Sequence, residues 1–135
     1  MKISLPISLG LFVIACCLPA LEFKHSAGPN TIMWGLNALA VGWSGIFAGV
    51  FAWYANPFWL LGVILGVARK PVAASICGVI AFAIGLSTFA LLGRELPGDE
   101  GNVTRITVVR FLPGCYVWMA SFASLALSAF ASKRG

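Results

Sequence analysis

The sequence predicts an all-α membrane protein with four transmembrane helices in a left-handed bundle. Hydrophobic residues make up 60% of its 135 residues, and only nine Lys or Arg and four Asp or Glu occur. A soluble domain places charged residues in most helical turns, whereas one bilayer crossing needs roughly 20 consecutive apolar residues. Four uncharged runs reach or approach that length: residues 3–21, 25–68, 71–93 and 111–132. The composition therefore predicts one integral membrane domain over residues 1–135.

Breakers and charged residues place the ends of these helices. Gly28 and Pro29 form part of a predicted loop after the first helix. The second helix ends before Asn56 and Pro57, because proline has no amide hydrogen and moves the preceding residue away from helical angles. Lys70 lies directly before the third helix. The predicted helices are residues 5–21, 31–54, 72–92 and 113–131.

Residues 58–68 form a predicted half-helix that is either interfacial or re-entrant. Eleven residues span about 17 Å as a helix, which is too short for a hydrocarbon core of roughly 30 Å. Aromatic rings settle at the level of the lipid headgroups. Four of them flank the start of this segment: Trp53, Tyr54, Phe58 and Trp59. The alternative layout divides residues 25–68 into two helices near Gly49 and gives five crossings.

The basic residues predict the orientation of the chain. Loops on the cytoplasmic side of a membrane are enriched in Lys and Arg. Four crossings with both termini in the cytoplasm place five basic and no acidic residues there: Lys2, Arg69, Lys70, Lys133 and Arg134. The sequence thus predicts a multi-pass protein of the bacterial inner (cytoplasmic) membrane. Cys16 also fits a lipoprotein cleavage pattern, but the apolar run continues to Leu21 and favours a retained helix.

Small residues form one stripe on each of three predicted helices. Helices in lipid pack through small residues that let their backbones approach, and an average spacing of 3.5 residues favours a left-handed bundle. Because each helix has a single stripe, we expect packing within one chain. Self-association through Gly45-x-x-x-Gly49 or Gly62-x-x-x-Gly66 is the alternative. The stripes are Ala38, Gly42, Gly45, Gly49 and Ala52; Ala74, Gly78, Ala81, Gly85 and Thr88; and Gly114, Ser121, Ser124, Ser128 and Ala131.

The sequence predicts no catalytic residue, no cofactor and no metal site. No Asp, Glu, Lys, Arg or His lies inside a predicted helix, whereas buried charges mark relays and ion-coupled transport. His25 is the only histidine, and the four cysteines show no C-x-x-C spacing. Cys16 or Cys17 could reach Cys115 in a disulfide, although free thiols in helices are the simpler expectation. No basic cluster exceeds two residues, which argues against a nucleic-acid partner.

One loop carries a different pattern. Residues 103–111 are rich in β-branched side chains with partial alternation, which predicts a small β-ribbon lying on the bundle.

Two motifs resemble a known set of proteins. Residues 53–57 read Trp-Tyr-Ala-Asn-Pro, and residues 113–118 read Pro-Gly-Cys-Tyr-Val-Trp. With residues 18–22, Leu-Pro-Ala-Leu-Glu, they resemble uncharacterised small bacterial four-helix inner-membrane proteins, which have a W-x-A-N-P turn after the second helix and a P-G-x-Y-x-W entry to the last. The resemblance implies the four-helix topology and no activity.

These observations predict a small non-enzymatic integral membrane protein. We expect it to act as an accessory, assembly or immunity-type subunit that binds a larger membrane complex. The alternative is a small oligomeric pore or transporter for a small solute. The expected partners are the lipid bilayer and either a membrane protein or a second copy of the chain. The candidate contact residues are Trp53, Tyr54, Asn56, Pro57, Gly45 and Gly49.

Overall fold

The structure, a computed structural model, describes residues 3–98, 101 and 103–133. These residues form six α-helices, three short 3-10 helices and a four-stranded antiparallel sheet. The α-helices are α1 (Ser4–Cys16), α2 (Gly35–Val41), α3 (Ala55–Val67), α4 (Pro71–Leu86), α5 (Pro113–Ala126) and α6 (Ser128–Lys133). The 3-10 helices are Gly42–Ala48, Ala52–Tyr54 and Ser87–Leu91. The strands are β1 (Pro19–His25), β2 (Thr31–Trp34), β3 (Glu95–Pro97) and β4 (Arg105–Phe111), in the order β2-β1-β4-β3.

The prediction of an all-α bundle of four transmembrane helices is wrong. The fold is mixed α/β, and among the described helices only Pro71–Leu91 is long and apolar enough to cross a membrane. The apolar helices Ser4–Cys16, Gly35–Ala48 and Ala52–Val67 are shorter. The structure therefore does not support a multi-pass helical bundle in the inner membrane, nor the orientation derived from it. Of the charges used for that orientation, Lys2 and Arg134 lie outside the described residues.

The first helix ends five residues before the predicted end at Leu21. Pro19 has no amide hydrogen to donate, and its ring moves Leu18 out of helical angles, so the chain leaves α1 after Cys16. It continues as β1, in which Ala20 and Phe23 are buried. A mostly apolar run suits a strand that covers a core as well as it suits a helix in lipid.

The predicted helix over 31–54 is wrong at its start. Its first four residues form β2, which pairs antiparallel with β1 so that Glu22 lies opposite Ile32 and Phe23 opposite Thr31. Gly28 adopts a φ of 135° in the intervening turn. The β-branched and aromatic side chains of β2 favour this pairing.

The rest of that segment breaks into short helices. Four glycines between residues 35 and 49 lower its helix propensity, and Gly49 takes a left-handed φ of 73° that ends the 3-10 helix Gly42–Ala48. The small-residue stripe predicted here consequently does not lie along one helix. Pro57 does not end a helix but lies in the first turn of α3, where its missing amide hydrogen costs nothing.

Residues 58–68 belong to the core rather than to a peripheral half-helix. Helices α3 and α4 form an antiparallel hairpin whose turn contains Arg69 at a φ of 59°. Trp59 was predicted at the headgroup level, but it is buried and stacks on Phe12 with ring centroids 3.8 Å apart. Its Nε1 donates a 2.9 Å hydrogen bond to Ser8 Oγ, which donates a 2.7 Å bond to the Ser121 carbonyl. These two consecutive buried hydrogen bonds connect α3, α1 and α5.

The small-residue stripe of α4 packs within the chain, as predicted. Ala74 and Ala81 are fully buried, and Gly78 and Gly85 are buried on the same face. This face contacts α3 and α5. The stripe therefore serves the close approach of neighbouring helices.

The β-ribbon predicted at residues 103–111 is confirmed as β4, which pairs with both β1 and β3. Val108 is completely buried with Phe23 and Leu91 in a second, smaller core. Two ion pairs connect neighbouring strands, the half-buried Glu22 with the exposed Arg110 at 2.8 Å and the exposed pair Glu95 and Arg105 at 3.4 Å. The sheet thus has its own apolar core and a charged surface.

Adjacent valines of β4 test the strand and its register. We expect Val108→Ala to lower the free energy of unfolding by about 2 kcal/mol, because it empties a buried site. Val109 is 39% exposed, so Val109→Ala serves as the matched control and should change stability by less than about 0.5 kcal/mol. Chemical denaturation of both variants measures the difference. Equal losses would contradict this register, since a shift by one residue exchanges the two side chains.

Candidate functional site

A cavity of about 650 Å³ lies where the helix ends meet the sheet. Phe12 of α1 and Trp118 of α5 line it from the helices, and Phe23 and Ile106 line it from the sheet. The remaining wall is Gly35–Ala48, which we call the lid segment. Among the residues that the structure describes, the lining contains no charged side chain, and the volume lies in the usual range for small-molecule sites.

The lid segment is the most loosely packed wall of this cavity. Neither α2 nor the 3-10 helix that follows it contains a buried residue. A seven-residue 3-10 helix is unusually long. The hydrogen-bond geometry of 3-10 helices is poor, and runs of more than about four residues are therefore uncommon. Three side-chain hydrogen bonds from outside hold the segment: Trp53 Nε1 donates to the Leu39 carbonyl at 2.8 Å, Arg94 Nη2 to the Ala48 carbonyl at 3.1 Å, and Tyr54 Oη to the Trp43 carbonyl at 3.5 Å. Few buried contacts make such an element the first to open.

The outer face of the lid segment is apolar and exposed. Leu36 and Trp43 are 62% and 52% exposed, and Phe47, which also lines the cavity, is 85% exposed. Exposed apolar patches of this kind mark contacts with proteins or membranes.

Two polar side chains line the cavity from the helices. Asn56 accepts a 2.8 Å hydrogen bond from Trp118 Nε1 through its Oδ1. Thr88 is 5% exposed, and its hydroxyl has no hydrogen-bond partner among the described residues. Buried hydroxyl groups are almost always hydrogen-bonded, so an orphan hydroxyl at a cavity indicates a missing partner.

Cys16 and Cys115 also line the cavity as free thiols. Burial raises the pKa of Cys115 to about 11. Burial, with a smaller contribution from neighbouring Cys17, raises the pKa of Cys16 as well. Both thiols stay protonated near neutral pH, and a protonated thiol is a poor nucleophile.

The size of the cavity matters energetically. An empty, sealed cavity of about 650 Å³ would cost about 16 kcal/mol at roughly 24 cal/mol per Å³. That cost exceeds the whole stability of a typical domain. The cavity is therefore one that a solvent or a guest fills.

Three of the six predicted contact residues line this cavity, and the other three do not. Trp53, Asn56 and Gly45 line the cavity. Tyr54 packs edge-on against Trp53 with ring centroids 5.4 Å apart. Pro57 and Gly49 are exposed outside the cavity. Sequence reasoning missed Trp118 and the orphan hydroxyl of Thr88; the signal for Thr88 was a lone hydroxyl at the end of a small-residue stripe.

Comparison with protein-family models, curated proteins and solved structures finds no match. The resemblance to small bacterial four-helix proteins stays a prediction, and the site is argued from its geometry alone.

The described acidic residues and the histidine lie outside the lining of the cavity. Glu22 pairs with Arg110, whereas His25 Nδ1 lies 3.5 Å from Thr31 Oγ1. Asp99 and Glu100 lie outside the described residues. Among the residues that the structure describes, no three His, Cys, Asp or Glu side chains cluster as a metal site.

Proposed function

We propose that this chain is a small non-enzymatic membrane protein that acts by binding a membrane-protein partner, as an accessory, assembly or immunity-type subunit. The observation that carries the proposal is the exposed apolar face of the lid segment, which no other part of the described chain covers. Large aromatic side chains such as Trp43 and Phe47 are the residue types that dominate binding energy at protein interfaces.

The helix surfaces support residence in a lipid bilayer. Four large aliphatic residues on the outer faces of α3 and α4 are each about half exposed: Leu60, Ile64, Ile76 and Val79. The helical segment Pro71–Leu91 has a mean hydropathy of 2.1 over its most apolar stretch. At 1.5 Å per residue, its 21 residues are about 30 Å long. That length and polarity match a hydrocarbon core.

The distribution of charge agrees with such an environment. Arg69 and Lys70 lie in the turn before α4, and the charged sheet follows its far end. No charged residue lies between the two ends of α4. An apolar middle between charged ends is the pattern that a bilayer requires of a protein surface.

One of the two glycine motifs that favoured an oligomeric pore is used for packing within the chain. Gly62 and Gly66, which match a helix-dimer motif, are buried against Leu125 and Leu5 of the same chain. A motif already occupied inside the chain offers no free face to a second copy. We therefore favour binding of a different protein.

Photo-crosslinking in cells tests the proposed function. We expect a photoreactive phenylalanine analogue in place of Trp43, which does not line the cavity, to form one protein adduct of reproducible mass. The additional change Leu36→Ser should weaken that adduct, because it removes another exposed apolar side chain of the lid segment. The matched control places the same analogue at Phe122, which is completely buried, and should give no adduct. Adducts at twice the mass of the chain would support self-association instead, and lipid adducts alone would contradict a protein partner.

A further inference from the structure

We propose that the cavity beneath the lid segment binds the acyl chain of a membrane lipid, with the uncharged ester group near Thr88. The inference rests on the proposed function for the source of the ligand, since a protein in a bilayer is surrounded by acyl chains. It adds a ligand and a site that partner binding alone does not require.

The lining selects the chemical class of the guest. Apolar side chains from α1, the sheet and the lid segment dominate it, and none of the described lining residues carries a charge that could pair with an ionised group. Burial of an unpaired charge is strongly unfavourable. The site therefore suits a long apolar chain, while a charged headgroup stays outside.

Two polar side chains provide a fixed point for the ester. The Thr88 hydroxyl is buried and has no partner in the described chain. Asn56 uses its Oδ1 for Trp118, and the described residues include no acceptor bonded to its amide nitrogen. Both groups are donors, and an ester carbonyl is an acceptor without charge. A small number of polar groups in an apolar lining is the usual arrangement of a ligand site.

The loose wall provides a way in. The lid segment has no fully buried residue, and its partly buried Leu39 packs against the helical core around Phe122. Outward movement of the segment therefore breaks few buried contacts. The end of its 3-10 helix at Gly49, in a left-handed conformation, is a position where the backbone can pivot at low cost. The guest can thus enter from the surrounding lipid while the core stays folded.

A binding titration tests the proposal on the purified full-length chain held in an amphipathic polymer. The probe is the methyl ester of cis-parinaric acid, a fluorescent and uncharged acyl chain, and energy transfer from tryptophan reports its binding. We expect saturable binding of about one probe per chain. Ala38→Phe should weaken it by at least about tenfold, because Ala38 lines the cavity and a larger side chain occupies the space of the guest.

The matched control is Ala40→Phe on the same helix. Ala40 is exposed and does not line the cavity. The Ala40→Phe variant should therefore bind the probe with an affinity within about twofold of that of the unaltered chain. Equal affinity of the Ala38 and Ala40 variants would overturn the proposal, because it would place the probe on the outer surface or in the polymer.

Thr88→Val keeps the test decisive if the Ala38 variant does not fold. We expect this near-isosteric change to weaken probe binding roughly threefold to tenfold, as loss of one hydrogen bond does. The thermal midpoint of the unliganded protein should stay the same or rise, because the hydroxyl has no partner within the described chain. A lower midpoint with unchanged affinity would show a structural role for Thr88 and contradict the proposed ester contact.

The two proposals fail separately. The titration needs neither a partner nor a bilayer, so absence of saturable binding contradicts the acyl-chain site and leaves the crosslinks from position 43, which does not line the cavity, unaffected. Conversely, loss of the protein adduct at position 43 with intact saturable binding contradicts the partner and retains the site.

Discussion

Gly78→Ala is expected to lower the free energy of unfolding by about 3 kcal/mol, because it forces apart two packed helices. A Cβ atom at this position would lie 2.5 Å from the Ala126 nitrogen and 2.8 Å from its Cα. Both are backbone atoms of α5, so no flexible side chain can move aside. Relief of the contact requires a shift of α4 against α5, which also disturbs the core around Phe122 and Leu125.

Gly10→Ala is the matched control for this change. Gly10 lies inside α1, and a Cβ there would meet no atom within 4 Å. Alanine is the better helix former, so we expect this variant to gain up to about 1 kcal/mol. Equilibrium unfolding followed by circular dichroism measures both. If Gly78→Ala and Gly10→Ala changed the free energy of unfolding in the same direction, the close approach of α4 and α5 would be contradicted.

Phe122→Ala is expected to cost about 3–5 kcal/mol, the largest loss among the single substitutions considered. Phe122 is completely buried among α1, α3, α4 and α5. Its ring meets Trp118 edge-on, with centroids 4.6 Å apart. Truncation removes this contact and leaves a cavity that the surrounding helices cannot fill without moving.

Phe130→Ala provides the comparison for Phe122. The side chain of Phe130 is 68% exposed, so its loss should change stability by less than about 0.5 kcal/mol. The same unfolding measurement applies to both variants. A small loss at Phe122, comparable with that at Phe130, would be incompatible with a core at this position.

The sequence predicted the parts of the fold in which local signals agree with tertiary packing. Helix α4 follows Lys70 and begins at Pro71, contains no charge and has one stripe of small residues, and it forms and packs as that pattern indicates. Strand β4 has a run of β-branched residues and forms a strand. At both positions propensity, pattern and burial favour the same conformation.

The prediction was wrong where apolar content alone was taken as a sign of helix. Residues 31–34 read Thr-Ile-Met-Trp and pair with β1 because a strand edge is available there. Pro57 was interpreted as a stop, but the first turn of a helix also accepts proline. Local sequence does not distinguish these cases, because the deciding partner lies elsewhere in the chain.

The sequence by itself determined that this protein has large apolar surfaces, few charges and the helix of residues 71–91. Only the tertiary structure decided that the chain between the helices forms a sheet, and that Phe12, Thr88 and Trp118 meet at one cavity. The physical reason is that hydrophobic burial is not directional. An apolar residue gains equally from lipid, from a sheet core or from a neighbouring helix, and long-range packing selects among them.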